Sequence, residues 1–199
     1  MLTYEKDNCT NYNLIAGIDE AGRGPLAGPV AVAVVIMPMD NMIEGVNDSK
    51  KLSEKKRESL YEQIITTALD YHIEFIDNNE IDKLNILEAT KLGMQKCVSA
   101  LKIRPDCVLI DAVKLPLDVP TISIIHGDAL AYNIACASIL AKVARDRLML
   151  EYDKEYPEYQ FAKHKGYGTK LHIQNLKEYG KCPIHRNSFI GHFIDVNGK

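Results

Sequence analysis

The sequence lacks the features that mark several common protein classes. No apolar run reaches the roughly 18 residues that a membrane-spanning helix needs, and residues 1–7 contain no apolar signal core. The five cysteines are scattered and include no Cys-x-x-Cys pair, which argues against a disulfide framework or a zinc site. We therefore expect a cytoplasmic protein that contacts no membrane and whose cysteines are reduced and mostly buried.

An excess of positive charge is also missing. The formal net charge is −3 and the isoelectric point is near 6.1, so bulk attraction cannot hold this protein on a polyanion. Contact with a nucleic acid would have to come from local basic clusters, which occur at residues 50–57, 142–147 and 163–165. Each cluster is equally consistent with the solvated face of a helix.

What the sequence does contain is the pattern of one α/β domain. Short β-branched runs predict strands at 14–18, 30–36, 71–77, 107–110 and 121–125. Amphipathic spacing and capping residues predict helices at 54–69, 85–101, 131–152 and 169–179. The alternation lacks strict βαβ regularity, so we expect a mixed β-sheet flanked by helices in a single domain. Its core would cover about residues 13–155 of the 199, followed by a helical C-terminal extension at about 156–199.

Four acidic residues follow the predicted strands directly or within one turn: Asp19, Glu20, Asp111 and Asp128. Two carboxylates about 4 Å apart repel by roughly 4 kcal/mol at an effective dielectric near 20, so a cluster of them requires neutralising cations. Oxygen ligands favour Mg²⁺ or Mn²⁺ over zinc, and a pair of such ions can hydrolyse a phosphodiester. Taken singly, each acid is equally consistent with a surface turn.

The adjacency of Asp19 and Glu20 poses a geometric problem, because neighbours on a regular strand point to opposite faces. Gly22 and Gly24 allow the backbone to turn sharply just beyond them. Glu20 can then swing its carboxylate inward or offer its carbonyl oxygen instead, and the sequence leaves both possibilities open.

The segment Gly22–Ala27 formally matches the dinucleotide-binding fingerprint G-x-G-x-x-[G/A]. That fingerprint must open a helix whose N-terminus holds the pyrophosphate. Here Pro25, Gly28 and Pro29 lead into the β-branched run from Val30 instead. The context therefore excludes a dinucleotide site and leaves a glycine-rich turn, with the cation of Arg23, that can approach a ligand closely, for instance at a sugar 2′-OH.

Together, these residues resemble the ribonuclease HII family. The resemblance is clearest at Ile18 to Val30, where a strand ends in Asp-Glu. The motif Ala-Gly-Arg-Gly follows, and then a second strand that begins with Gly-Pro-Val. Similar segments recur at residues 47–52, 109–111, 127–128, 137–146 and 164–167, so the resemblance spans nearly the whole chain. It departs where Ala112 replaces a glycine and where residues 129–132 are less polar than usual.

The resemblance implies a ribonuclease H-like fold and an endonuclease acting on RNA–DNA hybrids and on ribonucleotide-containing duplex DNA, as a monomer. It implies that the four acids are the catalytic and metal-binding residues. The implied substrate-binding residues are the turn Gly22, Arg23 and Gly24, which senses the ribose 2′-OH, Tyr167, which stacks on the following deoxyribose, and the phosphate contacts Lys50, Ser138 and Lys142. The C-terminal helical part would share in substrate binding. A second hypothesis is a non-enzymatic hybrid-binding module in which the acids are vestigial.

Overall fold

The computed structural model describes residues 2–196 of the chain; Met1 and residues 197–199, the end of the predicted C-terminal extension, lie outside the described residues. The strands are β1 (Ile15–Ala21), β2 (Val30–Ile36), β3 (Asp70–Ile76), β4 (Cys107–Asp111) and β5 (Thr121–Ile124). The helices are α1 (Tyr4–Asn8), α2 (Glu54–Thr67), α3 (Asn78–Leu84), α4 (Ile86–Ala100), α5 (Gly127–Leu130), α6 (Tyr132–Glu155), α7 (Phe161–His164), α8 (Lys170–Tyr179) and α9 (Asn187–Ile190). All predicted strands and helices are present, with ends displaced by at most a few residues.

The strands form one mixed sheet in the order β3-β2-β1-β4-β5. Strands β1 and β2 pair antiparallel, and β3 pairs antiparallel with β2. The strands β4 and β5 run parallel to β1. Every residue of β2 is buried, in agreement with its wholly apolar sequence. The predicted mixed sheet flanked by helices is therefore confirmed.

The long helix α6 crosses the sheet at very short distance from β1. A Cβ atom added at Gly17 would lie 2.1 Å from the carbonyl carbon of Asn133, so no larger residue fits there without moving the helix. The first part of α6 is almost wholly buried, and its alanines and Ser138 allow the close contact. This approach fixes the helix relative to the strand that carries Asp19.

Local capping explains where several helices begin. The side chain of Ser53 accepts the N–H of Lys56 at the start of α2, as the sequence predicts, and that of Thr169 accepts the N–H of His172 at the start of α8. Gly180 ends α8 with a positive φ of 76°, a conformation that glycine adopts without strain.

Several short helices, among them α1 and α3, do not follow from the sequence pattern. Helix α1 carries Glu5, whose buried carboxylate accepts the backbone N–H groups of Tyr132 and Asn133 at 3.0 and 2.8 Å. Ala131 offers no capping side chain at the start of α6. A residue more than a hundred positions away therefore caps the central helix, which no local sequence signal reveals.

The five cysteines are all free and all buried, as predicted. Within residues 2–196, no helix is both long and apolar enough to cross a membrane.

The Glu5 cap leads to a stability prediction. We expect Glu5→Ala to lower the free energy of unfolding by about 1–3 kcal/mol, because two buried N–H groups at the start of α6 lose their acceptor. Urea unfolding followed by circular dichroism would measure the change, with Glu44→Ala as a control outside the cap. A Glu5→Ala variant as stable as the parent protein would show that α6 does not depend on this cap.

Candidate active site

The sheet topology brings the first acids together at one edge. Because β1 and β4 are parallel and Ile18 pairs with Ile110, Asp19 and Asp111 occupy equivalent positions on neighbouring strands. Asp128 follows the adjacent strand β5 and lies in the first turn of α5. The side chain of Asp111 accepts the N–H of Gly127 at 2.8 Å, which ties the end of β4 to the turn before Asp128.

A cavity of about 260 Å³ opens at this edge. It is lined by Asp19, Glu20, Ala21, Gly22, Arg23, Gly24, Ser49, Lys50, Asp111, Ser138, Lys142 and Tyr167. All predicted site residues except Asp128 are in this lining. Asp128 lies beside it, with its Oδ2 3.6 Å from the Nζ of Lys50. The structure thus gathers side chains from five distant parts of the sequence around one cavity.

Asp19 is buried against helix α6. Its carboxylate accepts the backbone N–H of Glu20 at 2.7 Å and a hydrogen bond from the hydroxyl of Ser138. The hydroxyls of Ser138 and Ser49 lie 2.8 Å apart, so the chain of hydroxyls continues to the loop that carries Lys50. Burial, followed by the charge of Glu20, raises the pKa of Asp19 well above its usual value.

Glu20 places its carboxylate in the same cavity, although it follows Asp19 directly. Its Oε1 accepts from Nη1 of Arg23 at 3.3 Å, whereas its Oε2 is buried with no hydrogen-bond partner. Burial raises the pKa of Glu20, against the lowering effect of Arg23. An unpartnered buried carboxylate oxygen is costly and is the kind of atom that a cation would satisfy.

The acids fit a hard divalent cation in their chemistry, with only oxygen donors at the edge of the sheet. Within the described residues, however, no three of them converge closely enough to form a ready metal-ligand group. The contacts give a reason: Glu20 is drawn to Arg23 and Asp128 to Lys50. Like-charged carboxylates repel, and these two pair with neighbouring cations instead.

The glycine-rich turn is held from below by two buried arginines. Arg186 donates to the carbonyl oxygens of Gly22, Arg23 and Gly28 at 2.7, 2.8 and 2.9 Å. Its pKa falls to about 9 because it is buried and close to Arg145. Arg186 thus fixes the direction of the carbonyl groups of Gly22 and Arg23 in the turn.

The basic cluster at 142–147 is not simply the solvated face of a helix, because it includes Arg145. This arginine is fully buried and donates to the carbonyl oxygens of Pro29, Ala27 and Lys165. It also fills the space beside Gly22, where an added Cβ would lie 1.9 Å from its Nε. Gly22 has a φ of 95°, so this position requires glycine both for conformation and for space.

Tyr167 lines the cavity beside Gly24. Its Cε1 lies 3.9 Å from where a Cβ of Gly24 would be, and the guanidinium of Arg145 lies 5.8 Å from its ring centroid. The preceding Gly166 accepts the backbone N–H of Leu26 at 2.8 Å. The tyrosine and the glycine-rich turn are therefore joined by backbone hydrogen bonding.

The predicted phosphate contacts differ in their freedom to reach a ligand. The side chain of Lys50 is 82% exposed. Lys142 lines the cavity but holds Asp146 at 2.8 Å, one turn along α6. Ser138 has its hydroxyl between Asp19 and Ser49.

Sequence reasoning missed Ser49, Arg186 and the buried state of Arg145. A serine next to Lys50 carries no signal of its own. Both arginines bind carbonyl groups that lie far away in the sequence. The sequence signal for burial is weak: Arg145 lies on an otherwise apolar, alanine-rich face of α6. Ala112 has a positive φ of 51°, a conformation that favours glycine. This explains why the family usually has a glycine at this position.

Comparison with known proteins gives one consistent result. The family model described as Ribonuclease HII matches residues 16–192. The chain is 53% identical over 197 residues to Ribonuclease HII of Ruminiclostridium cellulolyticum, covering 98% of this chain and 77% of that protein. It is 59% identical over 177 residues to Ribonuclease HII of Endomicrobium trichonymphae, covering 88% of this chain and 84% of that protein. The crystal structure of ribonuclease H2 from Pyrococcus horikoshii superposes with a TM-score of 0.75 at 29% identity, covering 88% of this chain and 93% of that one.

The acid cluster should destabilise the metal-free protein. At neutral pH an ionised Asp19 costs stability, because its pKa in the folded state lies above the unfolded value and the penalty grows as pH rises through that range. We expect Asp19→Asn to raise the free energy of unfolding in EDTA by about 1–2 kcal/mol. Urea unfolding measures this, with the exposed Asp40→Asn as the matched control. An Asp19→Asn variant less stable than the parent protein would show that the charge of Asp19 does not destabilise the folded state.

Arg186 gives a second prediction. Arg186→Lys should lower the free energy of unfolding by about 2–4 kcal/mol, since one ammonium cannot span three separate buried carbonyl groups. Arg147→Lys is the control, because Arg147 is a surface residue paired with Glu58 and Glu62 and should change stability by less than about 1 kcal/mol. An equal loss of unfolding free energy in the two variants would show that the three hydrogen bonds of Arg186 contribute no particular stability.

Proposed function

Because this chain belongs to the ribonuclease HII family, we propose that it is an endonuclease that hydrolyses the RNA strand of RNA–DNA hybrids. We further propose that it incises duplex DNA on the 5′ side of a single embedded ribonucleotide, leaving 3′-OH and 5′-phosphate ends. The observation that carries the proposal is the meeting of the acids, the glycine-rich turn and Tyr167 around one cavity. That the protein acts as a monomer remains a prediction.

The carboxylates of Asp19, Glu20, Asp111 and Asp128 would hold Mg²⁺ or Mn²⁺. When bound, a pair of such ions supplies water activation and charge stabilisation at the leaving 3′ oxygen. The buried, unpartnered Oε2 of Glu20 supports a role for its side chain rather than its carbonyl group. Asp19 and Asp111 are held by backbone hydrogen bonds, from the N–H groups of Glu20 and Gly127 respectively.

The residues around the acids orient the substrate. The peptide groups of Gly22, Arg23 and Gly24 would contact the ribose 2′-OH, which both donates and accepts hydrogen bonds. Arg186 already fixes the carbonyl groups of Gly22 and Arg23, so this recognition would need little rearrangement. Tyr167, beside Gly24 in the same cavity, would stack on the sugar of the next nucleotide and so distinguish DNA from RNA at that position.

Cationic side chains would bind the phosphate backbone. Lys50 and Lys142 reach the cavity, and each is paired with an aspartate that it can exchange for a phosphate. Arg23 is likewise paired with Glu20 in the substrate-free protein. Ser138 is also proposed to contact the backbone, while its hydroxyl holds Asp19.

Cleavage of a defined duplex tests the proposal. We would incubate the protein with a labelled DNA duplex containing one ribonucleotide, and with an RNA–DNA hybrid, in the presence of Mg²⁺, Mn²⁺ or EDTA. We expect metal-dependent cuts 5′ of the ribonucleotide, abolished in EDTA and reduced at least about 1,000-fold by Asp19→Asn, because a ligand carboxylate is lost. Gel analysis of the product ends measures the result.

The controls are an all-DNA duplex, which should stay intact, and Asp40→Asn, which should cleave like the parent protein. Binding of the hybrid without cleavage in either metal would instead identify a hybrid-binding module. Equal cleavage of the all-DNA duplex would exclude recognition of the ribose.

A further inference from the structure

Three histidines that the proposed mechanism does not use lie buried together behind Tyr167. His164, His172 and His185 are 7%, 0% and 1% exposed. The rings of His164 and His172 stack with centroids 4.5 Å apart, and those of His172 and His185 lie 5.2 Å apart. Each of them comes from a different element: the end of α7, the first turn of α8, and the segment before α9.

Their hydrogen bonds determine which nitrogen of each ring carries the proton. The Nδ1 of His172 faces the carbonyl oxygen of Tyr167 at 3.0 Å, and a carbonyl only accepts, so this nitrogen must donate. In a neutral ring the Nε2 of His172 then has no proton. It must accept from the Nε2 of His185, which lies 3.0 Å away.

The hydrogen-bonded chain continues from His185 to Cys182. With its proton on Nε2, His185 leaves Nδ1 as an acceptor for the backbone N–H of Cys182 at 3.0 Å and for its thiol at 3.1 Å. The chain Cys182–His185–His172–Tyr167 thus has one direction, with every donor facing an acceptor. We call this chain the histidine relay.

His164 supports the same loop from the other side. Its Nε2 donates to the carbonyl oxygen of Tyr159 at 2.9 Å, and its Nδ1 accepts the N–H of Gly166 at 3.2 Å. The N–H of Tyr167 donates to the carbonyl oxygen of His164 at 2.9 Å. Both backbone groups of Tyr167 are therefore held, one by His164 and the other by His172.

The cluster is built to remain neutral and to hold no metal. All six ring nitrogens have hydrogen-bond partners, which leaves no free lone pair for a ligand bond. Burial lowers the pKa values of His172 and His185 to about 4, so the tautomers persist at neutral pH. A buried polar network in which every member is satisfied specifies one arrangement.

The far end of the relay is attached to the glycine-rich segment. His185 forms an antiparallel bridge with Ala27, and the carbonyl oxygen of Ile184 accepts the N–H of Gly28 at 2.9 Å. Arg186, which directly follows His185, donates hydrogen bonds to the carbonyl groups of Gly22 and Arg23. One continuous hydrogen-bonded structure therefore joins the glycine-rich turn to Tyr167, and both line the cavity.

We propose that the histidine relay positions Tyr167 relative to the Gly22–Gly24 turn and thereby sets the preference of the enzyme for a ribonucleotide followed by DNA. His172 and His185 are positioning residues in this scheme, since neither of them lines the cavity. The proposal rests on the proposed function, in which Tyr167 reads the sugar that follows the ribonucleotide.

The relay itself can be tested without any activity measurement. Nitrogen-15 NMR of histidine-labelled protein at pH 7 should show His172 protonated on Nδ1, and His185 and His164 protonated on Nε2. The chemical shifts of the two ring nitrogens distinguish these tautomers. The opposite tautomer at His172 or His185, or a charged ring at this pH, would overturn the relay whatever the enzyme cleaves.

Its role in selectivity needs a double-mutant cycle between His172 and Tyr167. The readout is the ratio of kcat/KM on a duplex with one ribonucleotide to kcat/KM on a continuous RNA–DNA hybrid. His172→Phe keeps an aromatic ring but removes both hydrogen bonds, and we expect it to lower this ratio by about tenfold. In a Tyr167→Ala background the same change should leave the ratio unaltered.

Two further variants separate positioning from simple loss of stability. His172→Asn can still donate a hydrogen bond to the carbonyl group of Tyr167 and should restore most of the ratio. His192→Phe, at an exposed position, is the matched control and should not change it. A merely structural role for His172 would lower kcat/KM on both substrates by the same factor, leaving their ratio constant, and would overturn the proposal.

The outcome distinguishes failure of the relay from failure of the proposed function. If the parent protein cleaves neither substrate, the proposed function is wrong, and the proposal on selectivity falls with it. If the parent protein prefers the single ribonucleotide and His172→Phe keeps that preference, only the positioning role is wrong.

Discussion

The close approach of helix α6 to strand β1 is the constraint on which the rest of the site depends. Gly17 allows the helix backbone to lie against the strand, and this contact sets the height of every later residue of α6 above the sheet. Ser138 then reaches Asp19, and Arg145, two turns further along the same face, reaches the backbone beside Gly22. The strand supplies the acid and the turn, while the helix supplies the groups that hold both of them in place.

Charge is distributed around this contact in a way that opposes folding. Carboxylates gather at the edge of the sheet with raised pKa values at Asp19 and Glu20, while two arginines lie buried behind the turn. The hydrogen bonds of Arg145 and Arg186 run to backbone carbonyl groups, so their charge is satisfied by dipoles rather than by neutralising acids. Such an arrangement costs stability and is expected where a protein prepares a binding site in advance.

The sequence predicts the sheet, the main helices and the acids at the ends of the strands because each of these has a local signal, whereas Lys50, Ser138, Lys142 and Tyr167 follow only from the family resemblance. Asp19 and Asp111 follow apolar runs, and parallel pairing brings the ends of those runs to the same edge. It could not predict the cap that Glu5 provides or the burial of Arg186, because the partners lie more than a hundred residues away. It also could not predict the direction of the histidine relay, which depends on which acceptor each ring nitrogen meets in the folded protein.

The same structure explains how a protein with a net charge of −3 can act on a polyanion. Two of its cations, Arg23 and Lys50, border the cavity and are paired with acids that in the proposed function would engage a divalent ion instead. In the proposed function, metal binding would therefore release these cations for phosphate, so the metal and the substrate would support each other. Discrimination would then come from the fixed spacing of the turn and Tyr167, since phosphate contacts alone carry no information about the sugar.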